Sequence, residues 1–278
     1  MDLTRLREQV SLEGKVAIVT GAFHKGGIGL AAAKELAARG AEIVLTDRPP
    51  YAAYAGAAQA ALKKMGSYAV GVTADTFTLE GAKQVADAAL NAFGAIDILI
   101  NTAPLYCGYR RIEQVPDQDW QAAYEGNILG TAEICRAVIP HMAKRGGGSI
   151  VNQLSVWGNA ATEGLSCYGI SQAFLLGLSR TLATEHGNDK IRVNAVLCGY
   201  VDTPELRSAA EAFASTQGLS ASEILGEMEK ACSMGRLGRP EEIAAIIGFL
   251  SSEAAGYING ATLYAVSYTH LRAHETLM

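Results

Sequence analysis

Directly after the apolar run VAIVT at 16–20 comes Gly21-Ala22-Phe23-His24-Lys25-Gly26-Gly27-Ile28-Gly29. Glycines that end a strand and open a helix let backbone N–H groups approach a phosphate, which the unpaired donors of the helix N-terminus attract. The chemistry implied is the cradling of a dinucleotide pyrophosphate. The second such run, EIVLT at 42–46, leads into Asp47. A carboxylate there can accept hydrogen bonds from both adenosine ribose hydroxyls and would repel a 2′-phosphate, so NAD is expected over NADP. Arg48 complicates that choice, because a guanidinium could instead greet a phosphate. His24, His141 and His186 stand apart from one another with no metal-ligand spacing, and no metal is expected.

These residues need strands to carry them and helices to cover the strands. VAIVT at 16–20, EIVLT at 42–46, DILI at 97–100, SIVNQL at 149–154 and RVNAVL at 192–197 are β-branched runs of strand length. Between them, Ile28–Arg39, Glu80–Phe93, Asp119–Lys144, Tyr168–His186 and Glu241–Leu250 are Ala/Leu-rich and helical in pattern. Gly40, Gly94, Gly146 and Gly187 fit the position just beyond a helix C-terminus. The alternation predicts a doubly wound α/β Rossmann fold: one mostly parallel central sheet with helices on both faces. Ligands of such sheets bind at the carboxyl ends of the strands.

Composition narrows the partners. The 278 residues are 49% hydrophobic and 18% charged, enough for one sizeable core, and the net charge of -5 gives no basic footprint for nucleic acid. No apolar run is long enough to span a bilayer, and MDLTRLREQV at the start lacks the apolar stretch of a secretory signal, so a cytoplasmic location is expected. Cys107, Cys135, Cys167, Cys198 and Cys232 are odd in number and contain no C-x-x-C pair, which suits reduced thiols. Residues Ser267 to Thr276, SYTHLRAHET, back-translate to a sequence resembling a transposon-end adapter. One domain over 1–266 and a non-native tail over 267–278 are therefore expected.

Together these residues resemble the short-chain dehydrogenase/reductase family over about 12–265. Its glycine motif is matched at Gly21, Gly27 and Gly29, with five residues between the first two where three are usual. Asp75 matches an acidic residue that contacts adenine, and Asn101-Thr102-Ala103-Pro104 stands where Asn-Asn-Ala-Gly is usual. Asn127 matches the structural and proton-relay asparagine, and Ser155 and Tyr168, thirteen apart, match the catalytic pair. Cys198-Gly199 with Val201 and Thr203 matches the Pro-Gly segment that holds the nicotinamide, and RLGRPEEIAAIIGFLSS at 236–252 with Gly260 resembles the late helix and final strand. The resemblance implies an oxidoreductase that interconverts alcohols and carbonyls with NAD(P), assembled as a homodimer or homotetramer.

Hydride transfer to or from a carbinol carbon needs a group that moves a proton on or off the oxygen, and the Tyr168 phenol can do so. A phenol's ordinary pKa near 10 leaves little phenolate at neutrality, so such sites lower it with positive charge and hydrogen bonds. Ser155 can donate a hydrogen bond to the substrate oxygen. Four residues after the tyrosine, on the same helix face, the family places a lysine, and this chain has Gln172. Glutamine can still bond a ribose hydroxyl but carries no charge. A cation lost at about 4 Å is worth on the order of 4 kcal/mol at an effective dielectric near 20. Turnover near pH 7 is thus expected to be on the order of a hundred- to a thousandfold below that of a Gln172→Lys variant.

Substrate choice is expected from Leu105–Gln114 and from Tyr200–Leu237, read as a helical lid. Leu105, Tyr106, Tyr109, Phe213, Leu219, Ile224 and Met228 suggest an apolar pocket for a hydrophobic alcohol or ketone. A second class stays open: a dinucleotide-binding sensor or assembly subunit with little turnover, for which Gln172, Pro104 and Cys198 argue.

Overall fold

A computed structural model describes residues 2–102 and 105–267; the expectations for Ala103, Pro104 and Tyr268–Met278 lie outside them. Seven strands form one parallel sheet: β1 (Val16–Thr20), β2 (Glu42–Asp47), β3 (Ala69–Thr73), β4 (Ile98–Asn101), β5 (Gly148–Ser155), β6 (Ile191–Cys198) and β7 (Thr262–Ala265). Their spatial order is β3-β2-β1-β4-β5-β6-β7. The order reverses direction between β1 and β4, and that switch point opens a crevice at the strand carboxyl ends.

The strands are apolar throughout because both faces are covered. In β1, Ala17 and Val19 face one core with Leu30, Leu36, Ile247 and Leu250, and Val16 and Ile18 face the other with Val85, Ile134, Val138 and Met142. The first core is roofed by α2 (Ile28–Ala38), α3 (Ala55–Lys63) and α10 (Pro240–Ser251), and the second by α4 (Leu79–Phe93), α6 (Gly130–Arg145) and α7 (Ser166–His186). A short α1 (Leu3–Val10) precedes the sheet, α5 (Asp117–Ala123) precedes α6, and α8 (Pro204–Gln217) and α9 (Ala221–Ala231) follow β6.

Two details differ from the sequence pattern. The helix expected over Asp119–Lys144 is broken by a π-helical turn, Tyr124–Leu129. The ring of Phe77 lies against its glycines, so close that a Cβ at Gly126 or Gly130 would meet ring atoms at 2.8 or 2.7 Å. Gly187 is right-handed (φ -58°) rather than a left-handed cap, and Lys190 (φ 60°) makes the reversal instead. The region read as a lid forms α8 and α9, and Ile224 packs with Ala210 and Ala214 while Phe213 and Met228 lean on them. Ile224 and Met228 are thus explained by the packing of that helix pair.

Candidate active site

The glycine turn joins β1 to α2. Gly27 caps α2 and Ile28 is its first residue, so N–H donors face the crevice where the resemblance placed a pyrophosphate. Gly21 turns with φ 61°, and Gly29 packs against it. A Cβ on Gly29 would press into the Gly21 carbonyl and come within 2.6 Å of Thr102 Oγ1. Thr102 in turn bonds Thr20 twice, Oγ1 to the Thr20 carbonyl at 2.6 Å and N–H to Thr20 Oγ1 at 3.2 Å. The ends of β1 and β4 are thereby stitched together beneath the turn.

Asp47 closes β2 with its carboxylate buried. Oδ2 accepts the Phe23 N–H from the glycine turn at 3.2 Å and Oδ1 accepts the Arg48 N–H at 2.9 Å. Burial pushes its pKa above the usual carboxylate value, and the two backbone donors oppose that. The Arg48 guanidinium stacks 4.4 Å from the Phe77 ring centre. Asp75 is exposed at the rim of the crevice, its Oδ1 accepting the Phe77 N–H at 3.2 Å. Asn101 points elsewhere: its amide donates to Asn152 Oδ1 at 2.8 Å inside the sheet, and Asn152 donates on to Ser179. That side chain stitches β4 to β5.

Deeper in the crevice the hydroxyls of Ser155 and Tyr168 meet. The Ser155 hydroxyl lies beside the phenol and accepts the Trp157 N–H at 3.3 Å. Burial pushes the Tyr168 phenol above its ordinary value, the serine hydrogen bond opposes this, and Cys198, Cys107 and Tyr106 add to the rise. None of those groups is a cation. Asn127 lies in the π-helical turn, where its Oδ1 accepts the Leu105 N–H and its Nδ2 donates to Ser171 Oγ at 2.8 Å. Ser171 then donates to the Tyr168 carbonyl at 2.7 Å. Asn127 therefore connects the loop after β4 to the helix that carries the tyrosine.

Gln172 is fully buried one turn beyond Tyr168, and its Oε1 accepts the backbone N–H of Ser155 at 2.9 Å. Its Nε2 is buried without a hydrogen-bond partner. Past β6, the Gly199 N–H donates to the Ala265 carbonyl at 3.1 Å, Val201 bridges to Gly238, and Thr203 caps α8 by accepting the Leu206 N–H at 3.1 Å. Cys198 is buried, which pushes its thiol up to about 12 and leaves it protonated at neutral pH.

Sequence reasoning missed three participants. His24 Nδ1 lies 3.2 Å from Glu205 Oε1, joining the glycine turn to the start of α8. Phe77 shapes the turn that holds Asn127, and Ser171 links Asn127 to Tyr168. A helix-face count from Tyr168 places Ser171 beside it; nothing local signals the other two. Of the residues read as pocket wall, Tyr106 packs edge-on to Tyr168 at 5.6 Å and Tyr109 meets Phe213 at 4.7 Å.

A doubly wound sheet with a glycine turn, a buried acid after β2 and a serine–tyrosine pair at its carboxyl edge defines an oxidoreductase of the Rossmann type. The chain belongs to the short-chain dehydrogenase/reductase family. The family profile described as enoyl-(acyl carrier protein) reductase matches residues 21–266. Dehydrogenase/reductase SDR family member 4 of Bos taurus is 34% identical over 262 residues, 94% of this chain and 89% of that protein. Among solved structures, L-sorbose reductase of Gluconobacter frateurii complexed with NADPH and L-sorbose is 31% identical with a TM-score of 0.86, covering 93% of this chain and 97% of that one. NAD+-bound xylitol dehydrogenase is 28% identical with a TM-score of 0.86, covering 92% and 99%. No helix among the described residues is long and apolar enough to cross a membrane.

Proposed function

We propose that this chain interconverts a secondary alcohol and a ketone with NAD(H), slowly at neutral pH. The observation that carries the reading is the Ser155 hydroxyl beside a Tyr168 phenol whose surroundings, among the described residues, supply no cation that lowers it. NAD(H), when bound, supplies or accepts the hydride. Two features favour a dinucleotide: the cradle that a Gly29 side chain would fill, and the buried Gln172 Nε2 with a hydrogen to donate. Gly21, Gly27, Ile28 and Gly29 would hold the pyrophosphate, Asp47 the adenosine ribose and Asp75 the adenine. Gly199, Val201 and Thr203 would border the nicotinamide half, with Gln172 Nε2 and Tyr168 toward its ribose. Ser155 binds and orients the substrate oxygen, Tyr168 moves its proton, and Asn127 secures the tyrosine's helix. The aromatic wall of Tyr106, Tyr109 and Phe213 favours an apolar substrate over a sugar. Ile170 and Phe174, 52% and 48% exposed one turn apart on α7, favour a homo-oligomer.

The sign of the pH dependence follows from the raised phenol. Alcohol oxidation needs the phenolate, which is scarce until the pH approaches the elevated pKa. Oxidation should therefore climb about tenfold per pH unit between pH 7 and 10 without a plateau. Ketone reduction needs the phenol, which is fully protonated below pH 9, so its rate should be flat from pH 6 to 9. Steady-state rates on a panel of secondary alcohols and ketones, together with NADH titration, test this. A plateau in oxidation below pH 8 would remove the phenol from its role. NADH binding with no turnover on any compound would favour the dinucleotide-binding sensor.

NAD preference rests on Asp47. Asp47→Ala should shift the ratio of NADPH to NADH affinity toward NADPH by about ten- to a hundredfold, the worth of one or two charge-assisted hydrogen bonds. Fluorescence titration with both nucleotides measures it, and an unchanged ratio would place the discrimination elsewhere. Because the carboxylate also holds the Phe23 N–H, both affinities should fall while the ratio moves.

A further inference from the structure

We propose that Gln172 is a positioning residue: its side-chain carbonyl fixes Ser155 through the serine's backbone N–H, and a lysine at this position would loosen the site rather than restore it. β4 pairs with β5 only as far as Asn101 opposite Asn152, so one edge of the last three residues of β5 has no strand beside it. A buried N–H at such an edge must find another acceptor. The Ser155 N–H finds Gln172 Oε1 at 2.9 Å.

The approach of α7 to this strand end is itself built in. A Cβ at Gly158 would lie 2.7 Å from the carbonyl carbon of Gln172 and 2.9 Å from its Cβ, so only glycine lets the segment after Ser155 lie on the helix there. Helix α7 thus grips Ser155 at two points one turn apart. Tyr168 stands beside the serine hydroxyl and Gln172 receives its backbone hydrogen. Freeing the backbone point would let the hydroxyl wander from the phenol.

Lysine carries three donors and no acceptor. At 172 it would leave the Ser155 N–H unpaired and place an ammonium where the native side chain is 0% exposed. The gain in turnover that the resemblance implied for Gln172→Lys is therefore reversed, because the Ser155 N–H beside Gln172 requires an oxygen acceptor. Glutamate keeps an oxygen acceptor in either ionisation state, and methionine keeps the volume without one.

The kinetic part rests on the oxidoreductase reading; the structural part does not, and the experiment separates them. Amide hydrogen exchange at Ser155 is followed by NMR in the natural chain and in Gln172→Met, Gln172→Glu and Gln172→Lys, with Val151 and Asn152 as folding controls. Exchange at Ser155 should quicken about tenfold or more in the Met and Lys variants and stay within about threefold in the Glu variant, while the controls hold. In parallel, kcat for alcohol oxidation at pH 9 should fall about tenfold or more in the Met and Lys variants, with NADH affinity changed by less than about tenfold. Unchanged Ser155 exchange in Gln172→Met, or a higher kcat in Gln172→Lys, overturns the proposal. If the natural chain turns over nothing, the functional reading fails and the exchange measurement alone decides the role of Gln172. If the lysine variant does not fold, the methionine and glutamate variants decide it.

Discussion

Tyr168→Phe should lower alcohol oxidation by about a thousandfold at about pH 10, where the natural chain is fastest, while leaving NADH affinity within about threefold. The substitution removes one oxygen and keeps the ring, so the edge-on contact with Tyr106 at 5.6 Å survives and the helix keeps its bonds to Asn127 through Ser171. What disappears is the hydroxyl that meets Ser155, and with it the group proposed to carry the proton. Ser155 retains its hold on the Trp157 N–H and on Gln172. The pH dependence of oxidation should flatten, because the group whose ionisation sets it is gone. Single-turnover and steady-state rates, with a parallel NADH titration, read the result. Residual activity above a tenth of the natural rate would mean that another group moves the proton.

The second large effect is expected at Gly29. Alanine there drives its methyl into the Gly21 carbonyl and to within 2.6 Å of Thr102 Oγ1, neither of which can yield cheaply. Gly21 is held in a left-handed turn, and Thr102 is tied to Thr20 by two hydrogen bonds. The turn must open or α2 must shift, at a cost of about 2–4 kcal/mol in stability and a loss of NADH affinity of about a hundredfold or more. Gly56→Ala is the matched control, since that glycine lies in α3 with nothing within 4 Å of the added methyl. It should be neutral or stabilising by up to about 1 kcal/mol. Thermal unfolding and NADH titration of both variants make the test, and equal behaviour would show that the close packing at Gly29 does not matter.

Features recorded in local pattern were legible before any coordinates. The buried strands announce themselves as β-branched runs, and β1, β2, β4, β5 and β6 fall within a residue or two of those runs. The glycine turn is a local event, and so is the acid that ends β2. The meeting of Ser155 and Tyr168 was legible only by resemblance, since nothing in a spacing of thirteen residues brings a strand end to a helix start.

Other features were illegible because they depend on which segments become neighbours. The π-helical turn at Tyr124–Leu129 has the composition of ordinary helix, and Phe77, 47 positions before Tyr124, is what lies in its glycine notch. Asn101 resembled a cofactor contact, yet its amide is spent on Asn152, which the sheet order makes adjacent, and on Cys135 of the covering helix α6.

Gln172 shows the division most plainly. Sequence alone determined that no charge stands one turn after Tyr168, because side-chain identity and helical period are local properties. Tertiary structure decided what the uncharged group does: β4 stops short of Ser155, Gly158 admits α7, and the glutamine carbonyl becomes the acceptor for an N–H that would otherwise be left buried and unpaired. A hydrogen bond between a side chain and a distant backbone has no periodicity, so only the packed arrangement of strand and helix could establish it.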